Sequence, residues 1–458
     1  MTYSSFAGFD FGTSNCALGL FCNSSPELIE LPLHGRYMAS TLFAPQREVI
    51  SGWLYQKLKK QGIESVYEQA RGAGISQSLR ALNEAILDGY DSDLQFGQHA
   101  FEAYLDDPLD CYYVKSPKSF LGATGLTVRH QQQFEDIVAA MMVHLREQVQ
   151  IQTASPLKKV VIGRPVNFQG LNSEQSNHQA ITILTQAAHF AGFEQVEFLY
   201  EPLAAGLTYQ AGLKQSKRVL VVDIGGGTSD ISLLEMGPDY QEHFDHEQLV
   251  LGYSGQRIGG NDFDIALNIQ GFMPLLGMNQ PLNNGQPMPH KLYHDAAAVN
   301  NLPAQANFYS KQAIQTLYQL RDDMRAPYWS RFDKLQKEQL TQRLNRSAEQ
   351  AKIDLATHEE VNCHLDYLDQ GLVGSLSKAN LLEASHKLTE TMSQLIDDVL
   401  SQAETQPDVL FLTGGTAHSP VIRQFLADEF KGIEQISGDN FGSVAGGLTR
   451  WAKQIFTE

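Results

Sequence analysis

Cysteine is scarce in this chain, with four residues among 458, and none of the four belongs to a paired CxxC motif. Because Cys16, Cys22, Cys111 and Cys363 are scattered, their spacing predicts neither a zinc site nor a disulfide framework. Isolated thiols of this kind are typical of a reducing compartment, where they serve packing. The sequence also lacks an apolar run of about 18 residues and a basic stretch followed by an apolar signal region. We therefore expect a cytoplasmic protein that does not span a membrane.

Basic residues are also few, since 34 Lys and Arg stand against 52 Asp and Glu, for a net charge of −18. Neutralising a phosphate backbone requires clustered basic side chains, so this composition disfavours a broad nucleic-acid surface. The hydrophobic fraction of 42% is ample for folded cores. A length of 458 residues predicts about three domains, or fewer large ones. The composition thus indicates a globular protein that binds neither nucleic acid nor a membrane.

One short motif occurs twice, as Phe9–Asn15 near the start of the chain and as Val222–Asp230 near its middle. In each copy an aspartate ends an apolar run, glycine and small hydroxyl residues follow, and a second apolar run returns. Glycine lets backbone amides converge on an anion, and the hydroxyls donate further hydrogen bonds. The motif therefore predicts a phosphate-binding hairpin, whose candidate residues are Gly12, Thr13, Ser14, Asn15, Gly225, Gly226, Gly227 and Thr228.

Either hairpin alone is equally consistent with an ordinary glycine-containing β-turn. Their repetition favours two hairpins that face each other across a phosphate, with Asp10 and Asp223 holding hydrated Mg²⁺, which prefers carboxylate and water oxygens. Neither copy is a Walker loop, which ends in Gly-Lys-Ser/Thr. Neither is a dinucleotide fingerprint, because a strand rather than a helix follows the glycines.

Strand and helix patterns alternate along the chain and predict two α/β lobes separated by a cleft, each lobe with an inserted subdomain. Both insertions are expected to be polar and helix-rich. The predicted boundaries are lobe I at 1–195, with core 1–38 and 111–195 and insertion 39–110, and lobe II at 196–458, with core 196–254 and 378–458 and insertion 255–377.

Four further motifs, Lys118–Gly122, Leu199–Gly206, Ile258–Asp264 and Leu412–Thr416, join the two hairpins in an ordered set that extends over nearly the whole chain. The set resembles the ATPase domain of the DnaK-type seventy-kilodalton heat-shock chaperones, within the actin and hexokinase superfamily. The long insertions and residues 163–170 look closest to the YegD-like branch. The resemblance implies the actin-like ATPase fold, with mixed sheets, flanking helices, a duplicated ribonuclease H-like core and a nucleotide in the central cleft.

The resemblance also implies a role for each matched residue. Asp10, Asp223 and Asp230 would organise Mg²⁺, mostly through water, while Lys118 beside the γ-phosphate and Glu201 beside the attacking water would join Asp10 and Asp223 as catalytic residues. Phosphoryl transfer needs this combination of charge neutralisation and an oriented nucleophile. Without the resemblance, Lys118 is an ordinary solvated lysine and Glu201 a surface residue at a helix start. Further nucleotide contacts would come from Gly259, Gly260, Glu349, Lys352, Gly414, Gly415 and Thr416.

Glu349 and Lys352 lie three residues apart on one helical face, where they would bind the ribose or, alternatively, form an exposed ion pair with each other. Two positions depart from the family pattern. Ile353 replaces the arginine that stacks on adenine. His418 replaces the arginine after the family's adenosine loop, which Leu412–Thr416 resembles. Losing the guanidinium plane removes a stacking contact, so we expect weaker nucleotide affinity and looser base selectivity.

Only one helix is expected after Gly446 and Gly447, so the sequence predicts no C-terminal peptide-binding domain. The favoured function is that of a DnaK-like chaperone or stress-response protein that binds ATP or ADP, hydrolyses ATP slowly and acts as a conformational switch on an unknown protein partner. Two alternatives stay open. A sugar-type small-molecule kinase would need a general-base aspartate that the sequence does not identify, and an actin-like filament former would use the nucleotide to control assembly.

Overall fold

The computed structural model describes residues 3–23, 25–109, 111–153, 156–168, 173–240, 249–438 and 442–457. The chain divides into two compact units. The first comprises Met1–Arg257, Ser393–His418 and Ala427–Glu458, and the second comprises Ile258–Met392 and Ser419–Leu426. Nearly all of the insertion predicted over 255–377 therefore belongs to the second unit, while the lobe boundary predicted at residue 195 stays a prediction.

The strands are short and are distributed over the whole chain. They are β1 (Phe6–Phe11), β2 (Asn15–Cys22), β3 (Ser25–Leu28), β4 (Met38–Ala39), β5 (Thr41–Ala44), β6 (Gln95–Phe96), β7 (Tyr112–Lys115), β8 (Lys159–Arg164), β9 (Gln195–Tyr200), β10 (Lys217–Ile224), β11 (Ser229–Met236), β12 (Val250–Gln256), β13 (Glu360–His364), β14 (Val373–Ser377), β15 (Val409–Thr413) and β16 (Glu434–Ser437).

The helices alternate with these strands. They are α1 (Arg47–Gln61), α2 (Ser65–Leu87), α3 (Gln98–Asp106), α4 (Val128–Thr153), α5 (Ser173–Phe190), α6 (Glu201–Gln210), α7 (Gly260–Gly271), α8 (Lys291–Ala297), α9 (Leu302–Phe308), α10 (Lys311–Gln319), α11 (Tyr328–Lys337), α12 (Thr341–Asp354), α13 (Lys378–Ala403), α14 (Pro420–Glu429) and α15 (Gly442–Phe456). None of those in the described residues is long and apolar enough to cross a bilayer.

Two large sheets of the first unit share one topology. The strand order is β3-β2-β1-β8-β9 in one, with β4 added beside β2, and β12-β11-β10-β15-β16 in the other. Each contains an antiparallel hairpin, β1–β2 or β10–β11, whose first strand pairs in parallel with a later strand. Parallel neighbours need a crossover, and helices supply it, since α5 connects β8 to β9 and α14 connects β15 to β16. The repeated hairpin in the sequence thus reflects a duplicated α/β core.

The helices that follow the two sheets pack against each other in the first unit. A Cβ atom on Gly447 of α15 would lie only 1.7 Å from the carbonyl oxygen of Ala204 in α6, so glycine is required for this close approach. The Thr208 hydroxyl of α6 donates a hydrogen bond of 2.7 Å to the Ser443 carbonyl of α15. This contact holds α6, and with it Glu201 at the first residue of the helix, against the core.

Both insertions contain strands as well as the predicted helices. Strands β5 and β6 accompany α1 to α3 in the first insertion, and they form a three-stranded sheet, β6-β5-β7, with β7 just after it. The antiparallel hairpin β13–β14 lies in the second unit beside α7 to α12, although that insertion was predicted to be helical. β13 has only five residues, in which half-buried Val361 and Cys363 alternate with exposed polar residues, so the pattern is too short to reveal a strand within a segment rich in helices. Residues 279–289 contain neither helix nor strand.

Candidate functional site

The turn between β1 and β2 forms the first part of the site. The Ser40 hydroxyl donates a hydrogen bond of 2.7 Å to the Gly12 carbonyl, and the Ser40 amide donates one of 2.9 Å to the Ser14 carbonyl. A Cβ atom on Gly12 would lie 2.3 Å from the Asn15 carbonyl oxygen, so the tight turn excludes any side chain there. Sequence analysis missed Ser40, because a separate segment supplies it and no local motif marks it.

The turn between β10 and β11 forms the second part. Asp223 and Asp230 are register partners across this hairpin, so their side chains lie on one face of the sheet. The Gly225 amide donates a hydrogen bond of 3.0 Å to the Thr228 carbonyl and closes the turn. The Thr416 hydroxyl, from the loop after β15, donates a hydrogen bond of 3.1 Å to the Gly225 carbonyl.

The loop after β15 lies against this second hairpin. Gly414 has a φ of +81°, in the left-handed region that favours glycine. A Cβ atom there would lie 2.4 Å from the Ile224 carbonyl oxygen and 2.7 Å from Asp223 Oδ1. Gly415 and Thr416 continue this loop, so the predicted adenosine-loop residues lie beside the second hairpin.

The two hairpins meet at their glycines, within the first unit. A Cβ atom on Gly226 would lie 1.9 Å from Ser14 Oγ, and one on Gly227 would lie 2.8 Å from Thr13 Cγ2 and 2.9 Å from Ser119 Oγ. Such distances are far inside van der Waals contact, so a side chain at either position would displace the Ser14 or Thr13 side chain of the other hairpin. The predicted phosphate-binding residues of both hairpins are therefore gathered at one place.

Lys118 and Glu201 form a buried ion pair at this place. Their side chains are joined by a hydrogen bond from Lys118 Nζ to Glu201 Oε1, and the residues are only 3% and 7% exposed. Lys118 lies in a short 3-10 turn, Pro117–Phe120, and Glu201 begins α6. Their burial rules out a solvated lysine and a surface glutamate, the alternatives that the sequence left open.

Negative charge is concentrated around this ion pair. Burial, followed by the charge of Glu201, raises the pKa of Asp10 and of Asp230 to about 7 in each case. The same two causes, together with Asp230 and Asp10, raise the pKa of Asp223 well above its ordinary value. Burial favours the neutral amine of Lys118, but Glu201 and Asp10 outweigh it and raise the pKa of that amine. Four carboxyl groups thus share one ammonium group.

This excess of carboxyl groups fits a hydrated divalent cation. Hard cations such as Mg²⁺ prefer carboxylate and water oxygens and retain several waters, and an added positive charge would favour the ionised aspartates. Among the described residues, no three His, Cys, Asp or Glu side chains are spaced to ligate a metal directly. The carboxyl groups are compatible with a hydrated Mg²⁺, and the metal-binding roles of Asp10, Asp223 and Asp230 stay predictions.

Backbone contacts hold the position of two of the acids. The Val166 amide donates a hydrogen bond of 2.7 Å to Asp230 Oδ1. A Cβ atom on Gly255 would lie 2.5 Å from the same oxygen, and one on Gly163 would lie 3.2 Å from Glu201 Oε1. The segment 163–170 therefore supports the site through Gly163 and Val166, while its residues 169 and 170 lie outside the described part of the chain.

The other predicted nucleotide contacts belong to the second unit. Lys352 Nζ lies 2.7 Å from Asp264 Oδ1 and donates a hydrogen bond of 3.1 Å to the Gly260 carbonyl. Gly259 immediately precedes α7, and its amide donates a hydrogen bond of 2.8 Å to Asp262 Oδ2. The structure therefore brings Lys352 of α12 to the start of α7, where the two predicted glycines lie.

Glu349 has a different partner from the one considered in the sequence. Its Oε2 lies 3.1 Å from Arg346 Nη1, one helical turn earlier, so the observed i,i+3 pair is not the alternative Glu349–Lys352 pair. Ile353, at the position of the family's adenine-stacking arginine, is 51% exposed. Ribose binding by Glu349 and Lys352 stays a prediction.

Comparison with known proteins identifies relatives of the chain. A family model described as Hsp70 protein matches residues 112–272 and 320–446, more than half of the chain. The chaperone protein DnaK of Prochlorococcus marinus is 27% identical over 309 residues, which are 64% of this chain and 37% of that protein. DnaK of Thermotoga neapolitana is 23% identical over 388 residues, 81% of this chain and 52% of its own. The chain thus spans about half or less of the length of these curated relatives.

These matches confirm the predicted resemblance to the DnaK-type family. They also confirm the predicted fold class, because that family has the actin-like ATPase fold and the first unit carries the duplicated sheet topology. The YegD-like branch is not confirmed and stays a prediction.

Proposed function

Because this chain belongs to the Hsp70 protein family, we propose that it binds ATP and ADP together with Mg²⁺ where its two hairpins meet, and that it hydrolyses ATP slowly. One observation carries the proposal. The glycines of both hairpins, half-buried Asp10, buried Asp223 and Asp230, and the Lys118–Glu201 ion pair converge in one cluster of the first unit. A triphosphate needs backbone donors, a cation and a lysine near its terminal group. The glycine turns would supply the donors, the aspartates would hold the cation, and Lys118 would be the lysine.

The roles proposed for the residues follow from their chemistry. Thr13, Ser14 and Thr228 donate hydrogen bonds to phosphate oxygens. Gly226 and Gly227 have no side chain, which lets the second hairpin approach Ser14 and Thr13 of the first. Asp10, Asp223 and Asp230 would hold Mg²⁺, mostly through water. When bound, the Mg²⁺ neutralises phosphate charge.

Lys118 and Glu201 are proposed to act as a pair. Glu201 holds the ammonium group of Lys118 in place, and the terminal phosphate competes with Glu201 for it. Once the Lys118 ammonium group has turned toward the phosphate, the Glu201 carboxylate is able to orient an attacking water. Slow turnover is expected, because the ion pair must be loosened before either group takes up its role.

A nucleotide-controlled switch is the cellular role that we propose. The relatives reported above are named as chaperones, and opening and closing around a bound nucleotide is a known way to change the surface that a protein partner recognises. The partner is proposed to be a protein.

Single-turnover hydrolysis of radiolabelled ATP by the purified full chain tests the proposal. Lys118→Ala should abolish phosphate release, because it removes the cation at the terminal phosphate, while Mg·ADP still binds. Lys158→Ala is the matched control, since it breaks an ion pair with Glu194 in which both side chains are more than half exposed. Equal hydrolysis by wild type and Lys118→Ala would remove Lys118 from the mechanism.

Two further assays separate the proposed switch from the other functions that the sequence left open. ADP release that rises strongly with one sugar-like metabolite would favour a kinase. Nucleotide-dependent sedimentation that grows with protein concentration would favour a filament former. The switch predicts neither response.

A further inference from the structure

Thr413 is the last residue of β15 and is completely buried. Its hydroxyl group has no hydrogen-bond partner among the described residues. Buried polar groups in folded proteins almost always have a partner, so an exception calls for a physical explanation. Neither hairpin motif includes Thr413, and no role was assigned to it from the sequence.

The sheet places Thr413 beside Asp223. The two residues are register partners in the parallel pairing of β10 with β15, and register partners direct their side chains to the same face. The next residue, Gly414, approaches Asp223 so closely that a Cβ atom there would lie 2.7 Å from Asp223 Oδ1. The Thr413 hydroxyl therefore lies on the face, and at the strand end, that carry the Asp223 carboxyl group.

Packing alone does not explain a threonine at this position. Valine has nearly the same shape and the same preference for strands, and it buries no polar atom. A buried hydroxyl without a partner lowers the stability of the folded chain relative to valine. The hydroxyl is explained if it gains an acceptor in a ligand-bound form of the protein.

We propose that Thr413 is a positioning residue, whose hydroxyl donates a hydrogen bond to the Asp223 carboxylate when a magnesium nucleotide is bound. The proposal rests on the proposed function, because it requires that Asp223 serve the metal. A hydrogen bond from a hydroxyl to a carboxylate is among the stronger kinds, and it fixes the direction in which the carboxylate oxygens point. Thr413 acts on the metal through Asp223 and does not contact the nucleotide.

Two substitutions of the full chain separate this role from packing. Thr413→Val removes the hydroxyl and keeps the volume, whereas Thr413→Ser keeps the hydroxyl. Isothermal titration with ADP is performed in Mg²⁺ and in EDTA, and the thermal midpoint is measured without ligand. Thr449→Val is the control, because the Thr449 hydroxyl is equally buried but is hydrogen-bonded to the Ala445 carbonyl.

Thr413→Val should raise the ligand-free midpoint by about 2–4 °C and weaken Mg·ADP binding by about tenfold, which is the effect of one charge-assisted hydrogen bond. Affinity in EDTA should be unchanged, and Thr413→Ser should retain the affinity for Mg·ADP. Thr449→Val should leave the ratio of the ADP affinity in Mg²⁺ to that in EDTA unchanged. Wild-type affinity of Thr413→Val for Mg·ADP would overturn the role of Thr413 alone. A wild-type chain that binds no Mg·ADP would overturn the proposed function and this role together.

Discussion

Replacing Asp230 with asparagine should stabilise the ligand-free protein, and by more at higher pH. Asp230 is 1% exposed, and burial with the charge of Glu201 raises its pKa from 3.8 to about 7. The native state therefore binds this proton more tightly than the unfolded chain does. The stability that the group contributes is complete below its unfolded pKa and is lost as the pH rises through about 7. A shift of about three pKa units corresponds to a loss on the order of 4 kcal/mol.

Asparagine does not ionise, so the variant avoids this loss. Its Oδ1 still accepts the hydrogen bond from the Val166 amide, which preserves the local geometry. The free energy of unfolding of Asp230→Asn minus that of wild type should increase by about 1.4 kcal/mol per pH unit between about pH 5 and 7, and should level off above that. Urea unfolding followed by circular dichroism at pH 5, 6, 7 and 8, without Mg²⁺ or nucleotide, measures this difference.

Asp408→Asn is the control, because this substitution should lower the free energy of unfolding rather than raise it. Asp408 Oδ1 lies 2.7 Å from Arg218 Nη2 at the surface, and hydrogen bonds from Arg218 lower the pKa of Asp408. A carboxylate of this kind stabilises above its unfolded pKa, so removing it should lower stability slightly at pH 5 to 8. If the difference in free energy of unfolding between Asp230→Asn and wild type stayed flat or fell with pH, it would refute the claim that burial and the charge of Glu201 raise the pKa of Asp230.

Two further predictions concern the metal and the hairpins. Binding of Mg·ADP at pH 6.5 should release protons, because the cation favours the ionised forms of Asp10 and Asp230, whose pKa values are about 7. Equal calorimetric heats in phosphate and Tris buffers would contradict this. Gly226→Ala should abolish nucleotide binding, because its Cβ atom would lie 1.9 Å from Ser14 Oγ. Gly74→Ala, in α2 with open space around the added Cβ, should leave binding unchanged and raise stability by about 1 kcal/mol. Nucleotide binding by Gly226→Ala with wild-type affinity would contradict a site in which Gly226 of the second hairpin lies against Ser14 of the first.

The turns of the two hairpins were predictable because their sequence signals are local. Within each motif the aspartate, the glycines and the hydroxyl residues are neighbours in the chain, and the glycines are required where Gly226 and Gly227 meet Ser14 and Thr13. The duplicated sheets followed from the same repetition. The alternation of apolar runs also predicted the strands that carry these turns, since β10 is almost wholly buried.

The supports of the site were not predictable from a local pattern. Ser40 and Val166 reach the hairpins from separate segments. Ser40 donates hydrogen bonds to two backbone carbonyls, and the Val166 amide donates one to a carboxylate. Burial of Lys118 and Glu201 depends on packing between distant elements, so the sequence left a solvated lysine and a surface glutamate open. The β13–β14 hairpin was missed because each of its strands has only five residues, too few for their alternation to stand out in the sequence.

Isothermal titration of the full chain with ADP, in Mg²⁺ and then in EDTA, tests the central claim most directly. We predict one nucleotide per chain, bound far more tightly with Mg²⁺, and an Asp10→Asn variant in which this dependence on the metal is largely lost. No binding in either condition, or binding with the same affinity in both, would contradict a magnesium nucleotide held between the two hairpins.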